Sequence, residues 1–97
     1  MHESFIENYL VSKVKALGGE VRKVKWIGRR GAPDRLVMLP DATMWVELKA
    51  PGQKPKPHQA REHDRMRRMG QRVEVVDSVE QVNTLLERSY HAQKVAK

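Results

Sequence analysis

Ile6, Leu10, Val14 and Leu17 recur at helical spacing in an otherwise polar stretch, and Gly18-Gly19 stops the run. This pattern predicts a first helix over residues 3–17. Residues 21–27 mix apolar and basic side chains in imperfect alternation and read as a strand, followed by a basic, glycine-containing loop over 28–33. A short apolar run at 36–39 enters the turn Pro40-Asp41-Ala42, and the next strand, 44–50, alternates cleanly. Met44, Val46 and Leu48 share one of its faces; Trp45, Glu47 and Lys49 share the other. The prolines between residues 51 and 57 impose a loop. Pro57 at a first helical position and Gly70 at a cap bound a second helix. Residues 73–76 read as a strand, and Ser78 with Gln81 makes a capping-box start for a last helix carrying Val79, Val82, Leu85 and Leu86. From Tyr90 the tail is expected to fray. The order α-β-β-β-α-β-α predicts one α/β domain over residues 1–97, with a core over about 3–89 and a mixed sheet flanked by helices.

Composition narrows the class. The 97 residues are 39% hydrophobic and 32% charged, and no apolar run approaches the roughly 20 residues of a membrane span. The opening MHESFIENYL lacks a basic-then-apolar export pattern, and there is no cysteine for disulfides, zinc thiolates or nucleophilic catalysis. A cytoplasmic location is expected. Nineteen Lys and Arg against 12 Asp and Glu leave a net charge of +7, which points first to a polyanionic partner. The excess is local: residues 22–35 and residues 54–72 each carry +5, and the three remaining segments each carry −1. Any one basic run is commonly a solvated face. Two runs bracketing one motif favour a phosphate-binding surface.

The motif is Pro33-Asp34, then Glu47-Leu48-Lys49, then Gln59. In the expected hairpin, Asp34 stands at the mouth of one strand, and Glu47 and Lys49 project from one face of the next. Glu-x-Lys on a strand commonly means exposed alternating charge, and Pro-Asp commonly opens a turn. Their combination inside a basic surface means more. Two carboxylates at the end of a hairpin suit a hard divalent cation such as Mg²⁺, which takes oxygen ligands and keeps several waters. A water made acidic there can attack a phosphodiester, and Lys49 can orient it and stabilise charge developing on phosphorus.

The segments Gly31-Ala32-Pro33-Asp34-Arg35-Leu36-Val37, Trp45-Val46-Glu47-Leu48-Lys49-Ala50-Pro51-Gly52 and Lys56-Pro57-His58-Gln59 closely resemble the VRR-NUC domain, a branch of the PD-(D/E)XK nuclease superfamily. The resemblance runs from the first helix through Asp77-Ser78. It implies the αβββαβ restriction-endonuclease-like core and a Mg²⁺- or Mn²⁺-dependent DNA endonuclease of the stand-alone phage or prophage type. It also implies Asp34 and Glu47 as metal ligands, Lys49 as the catalytic lysine and Gln59 as the motif glutamine. By its own spacing, Gln59 shares a helical stripe with His63, Met66 and Gly70 and faces the sheet, either holding a ligand or as a satisfied buried amide.

A further acid is expected from the first helix. Glu3 lies near the middle of its apolar stripe and Glu7 at the edge, so Glu3 is the chosen third ligand. Arg29, Arg30 and Arg35 are the expected phosphate clamps, with Lys23 and Lys25 beside them. His58 and His63 suit solvated or phosphate-contacting roles. Trp26 and Trp45 either stack bases, fill core or form a subunit contact, as the last helix can. Stand-alone relatives look like junction resolvases. A homodimer acting on branched DNA, four-way junctions first, is therefore expected, because two copies would join their basic faces. Competing readings are a flap or nicking nuclease, an RNA-processing nuclease and a non-catalytic DNA-binding module. The last is disfavoured because carboxylates beside phosphates repel unless a metal intervenes.

Overall fold

The computed structural model describes residues 2–96, with side chains described as far as residue 88. The elements are α1 (Glu3–Ala16), β1 (Glu20–Lys23), β2 (Arg35–Leu39), β3 (Ala42–Leu48), α2 (Pro57–Arg68), β4 (Val73–Val76) and α3 (Val79–Ala96). The strands lie in the order β1-β2-β3-β4. The first three are antiparallel, and β4 joins parallel to β3 after the crossover through α2. This is the expected αβββαβ core with its additional last helix. Among the described residues no helix is long and apolar enough to cross a membrane.

The alternation of β3 divides the layers. Met44, Val46 and Leu48 join Val37 in a buried cluster with Ile6, Leu10 and Val14 of α1 and Val82, Leu85 and Leu86 of α3. Thus α1 and α3 cover one face of the sheet. Helix α2 covers the other, presenting Glu62, His63 and Met66 inward. Burying each of these leucines contributes roughly 1.5–3 kcal/mol. Ser78 caps α3 as expected: its Oγ accepts the Gln81 N–H at 3.1 Å, and Gln81 Oε1 accepts the Asp77 N–H at 2.6 Å.

Three expectations need correction. The strand over 21–27 is shorter, because after Lys23 only the Val24 N–H continues the ladder, to the Asp34 carbonyl at 2.9 Å. Trp26 leaves the strand line, and its Nε1 donates to the Pro33 carbonyl at 2.8 Å. Leu17 belongs to no buried stripe: α1 stops at Ala16, and Gly18 at φ +83° turns the chain away, leaving Leu17 exposed. Val82, Leu85 and Leu86 are consumed by the core, so they cannot form a subunit contact. The backbone of α3 is helical to Ala96, whereas the side chains of the expected frayed tail fall outside the described residues.

Leu10→Ala should therefore cost about 2–5 kcal/mol in urea unfolding, while Leu17→Ala should cost about 0.5 kcal/mol or less. Equal losses would show that Leu17 belongs to the core after all.

Candidate active site

The N-terminal parts of α1 and α2 meet the start of β2 and the end of β3 at one end of the sheet. The register pairing Arg35 with Val46 extends by one step to bring Asp34 across from Glu47. On the same face as Glu47, Lys49 follows β3, its N–H bonded to the Val76 carbonyl at 2.9 Å. Helix α2 runs antiparallel to β3 over this face. Gln59 meets Lys49, one turn later His63 meets Glu47, and Met66 lies beside Trp45. The loop before Asp34 packs on the start of α2 at Gly31. A Cβ there would lie 2.9 Å from the His58 carbonyl oxygen, and φ of +87° disfavours any side chain.

Glu47 is only 9% exposed. Burial pushes its carboxyl up to about 7; the Asp34 and Glu3 charges add to the rise, and Lys49 and Arg35 oppose it. Carboxylates held in mutual repulsion at one end of the sheet fit a hard divalent cation, which would relieve both effects. Among the described residues no three acidic or histidine side chains close into a ready cage. An ion there would complete its shell with water or phosphate oxygens, as Mg²⁺ commonly does.

Lys49 is positioned by Gln59. The Gln59 Oε1 accepts from Lys49 Nζ at 2.8 Å and from the Lys56 N–H at 2.9 Å, so one amide oxygen both caps α2 and tethers the lysine. Gln59 is thus half-buried, with its amide oxygen engaged beside Lys49. Nearby, Arg35 is 8% exposed and paired with both Glu7 and Asp34, whose Oδ1 lies 2.8 Å from its guanidinium. Burial opposes its charge, but the Glu7 and Asp34 carboxylates outweigh that and hold its pKa above the ordinary value.

Arg35 must therefore be withdrawn from the phosphate clamps, since its guanidinium is engaged inside the protein. Lys23 at the end of β1 and Lys25, Arg29 and Arg30 in the loop after it are exposed and remain accessible, although Arg29 also approaches Glu62 at 3.6 Å. Glu3 is exposed, not buried on the apolar stripe, because burial along α1 begins at Ile6. Its charge nevertheless reaches Glu47. Glu7 is half-buried and bound to Arg35.

His63 is the residue the sequence reading misplaced. It is 1% exposed, neither solvated nor open to phosphate, and its Nε2 stands 3.6 Å from Glu47 Oε1 without a hydrogen-bond partner. Burial lowers its pKa, helped by Arg67 and Lys49, and keeps the imidazole neutral. The available signal was its spacing from Gln59 and Met66 on one helical stripe. Half-buried His58 is also lowered, by desolvation and the surrounding Arg30, Lys56, Arg61 and Lys49.

The chain is 51% identical over 79 residues to a protein named "Putative nuclease p44" from Acyrthosiphon pisum secondary endosymbiont phage 1, a match spanning 80% of this chain and 85% of that one. It also matches a solved structure described as a VRR_NUC domain, with a TM-score of 0.80 and 47% identity, over 88% of this chain and 94% of the other. No protein-family profile matches the chain.

The raised carboxyl of Glu47 has a measurable consequence. Its folded value of about 7 exceeds the ordinary 4.5, so between these values the folded state binds more protons and stability falls as pH rises. Measured in urea with EDTA, Glu47→Gln should gain on the wild type by about 2–3 kcal/mol between pH 4 and pH 8. A stability difference that does not change with pH would refute this environment for Glu47.

Proposed function

Because this chain belongs to the VRR-NUC nuclease family, we propose that it is a Mg²⁺- or Mn²⁺-dependent DNA endonuclease that hydrolyses phosphodiester bonds in branched DNA. The observation carrying this reading is the meeting of buried Glu47, Asp34 and the Gln59-tethered Lys49 at one end of the two central strands. Asp34 and Glu47 would hold the cation, with Glu3 as the third carboxylate. A divalent ion bound there supplies an acidified water and counter-charge for the phosphodiester.

The chain's own groups do the rest. Lys49 brings an ammonium to the face of Glu47, where it orients the attacking water and stabilises charge developing on phosphorus. Gln59 fixes the direction of that ammonium. The arginine pair to Glu7 and Asp34 keeps the Asp34 carboxylate at the strand mouth. Lys23, Lys25, Arg29 and Arg30 bind flanking phosphates. Action in the cytoplasm of a bacterial or phage-infected cell fits this substrate.

Asp34→Asn, Glu47→Gln and Lys49→Ala should each lower cleavage by at least about 10²-fold with the fold retained by circular dichroism. Wild-type rates in all three would remove the site. At saturating Mg²⁺, Glu3→Gln should lose more activity than Glu7→Gln, whose main effect is to release Arg35 and lower stability. Activity lost in the Glu7 variant alone would transfer the ligand role to Glu7.

A single site cuts one strand at a time, and two copies about a two-fold axis would present two sites and one continuous basic face to a junction of similar symmetry. Light scattering across micromolar concentrations should give a dimer, and four-way DNA should be cut faster than linear duplex. A monomer without branch preference would leave a flap or nicking nuclease.

A further inference from the structure

Beside the carboxylates, on the same face of β3, lies a groove of about 430 Å³ walled by Trp26, Trp45, Met66 and Met69, with Arg65 and Arg68 at its rim. These are the chain's two tryptophans. Their rings touch, with centroids 5.0 Å apart and planes tilted by 49°. Both indole N–H groups are satisfied within the protein, Trp26 by the Pro33 carbonyl at 2.8 Å and Trp45 by Gln71 Oε1 at 3.2 Å. What the indoles offer the groove is therefore ring surface rather than a donor. Met69, 78% exposed, extends this apolar wall to the surface.

Charge decides what can cover such a surface. Arg65 and Arg29 both approach Glu62, at 2.8 and 3.6 Å, and Arg68 has no ion pair among the described residues. The rim is thus net positive. A two-fold contact with a second copy would set these arginines against each other, because an isologous interface must complement itself. A polyanion with aromatic bases meets both features at once: its phosphates face the arginines and a base lies on the rings.

Stacking then selects the kind of base. Trp45 and Glu47 are two residues apart on one face of β3, about 7 Å, a separation that an ordinary phosphate and its neighbouring base can span. A base inside a duplex has both faces covered by its neighbours, so the base that lies on these rings is one released from the stack. We propose that the Trp26–Trp45 groove receives an unpaired nucleobase next to the cut phosphate, so that the site reads single-stranded or branch-point DNA by stacking. The placement of that phosphate rests on the nuclease reading above; the binding of the base does not.

The two tryptophans report directly on the groove. In EDTA, where cleavage is suppressed, the wild-type protein is titrated with fluorescein-labelled oligothymidylate and with a blunt duplex carrying the same number of phosphates. Tryptophan emission and fluorescein anisotropy are read together. The single strand should quench emission by half or more as anisotropy rises, and the duplex should raise anisotropy with little quenching. Trp45→Leu should weaken single-strand binding about tenfold and leave duplex binding unchanged, while Trp45→Phe restores most of the loss. Single-strand binding without quenching overturns the proposal. So does emission that shifts with protein concentration alone, which would mean that a second copy covers the groove. If Trp45→Leu fails to fold, the wild-type quenching comparison still decides. Quenching in EDTA by a protein that cuts nothing in Mg²⁺ or Mn²⁺ would overturn the nuclease reading and keep the base site.

Discussion

The guanidinium of Arg35 sits almost out of water, and a charge so placed must be paired. Its partners come from opposite directions, Glu7 from α1 and Asp34 from the loop preceding β2. That one requirement ties the first helix, the start of a central strand and the basic loop to a common point. It also fixes the residue next in sequence, Asp34, at the strand mouth across from Glu47. Removing Glu7, the more buried of the two acids, would leave the arginine underpaired and lower stability. The structural bond and the chemical site thus share an aspartate.

Much of this was legible in the chain. The two-residue period of β3 separated Met44, Val46 and Leu48 from Trp45, Glu47 and Lys49 before any coordinates, because a strand under helices on both faces must sort its side chains this way. The pairing of Ser78 with Gln81 and the proline at the start of α2 were equally local signals. Arg35 was not legible: one cation in a basic run looks like its neighbours, and only the crossing of α1 supplies Glu7. The exposure of Glu3 was hidden for a related reason. A helical wheel gives its angle around α1 but not that burial along the helix begins only at Ile6. His63 had the right spacing, but spacing alone does not reveal that α2 sits close enough to exclude water.

The basic runs also mean something different in three dimensions. Arg22, Arg29, Arg65, Arg67 and Arg72 each lie beside an acid, mostly within a few residues in sequence, and the exposed pairs Arg22–Glu20 and Arg67–Asp64 contribute little to stability. The cations with no ion pair among the described residues include Lys23, Lys25 and Arg30 near the loop and Arg61 and Arg68 along α2. Lys23, Lys25, Arg30 and Arg61 flank the end of the sheet where Asp34 and Glu47 stand, and Arg68 lies at the far end of α2. Net charge predicted a polyanion; the ion pairs narrow which cations can meet it.

The amide oxygen of Gln59 serves two donors, the Lys49 ammonium and the backbone N–H that begins α2. First turns of helices are the places where secondary structure opens most readily, by local fraying far short of global unfolding. When that turn opens, the lysine loses its tether although the core of Ile6, Leu10, Val46 and Leu85 is intact. On the reading proposed above, catalytic competence would depend on the local stability of one helical turn, and heat would inactivate the protein before melting it.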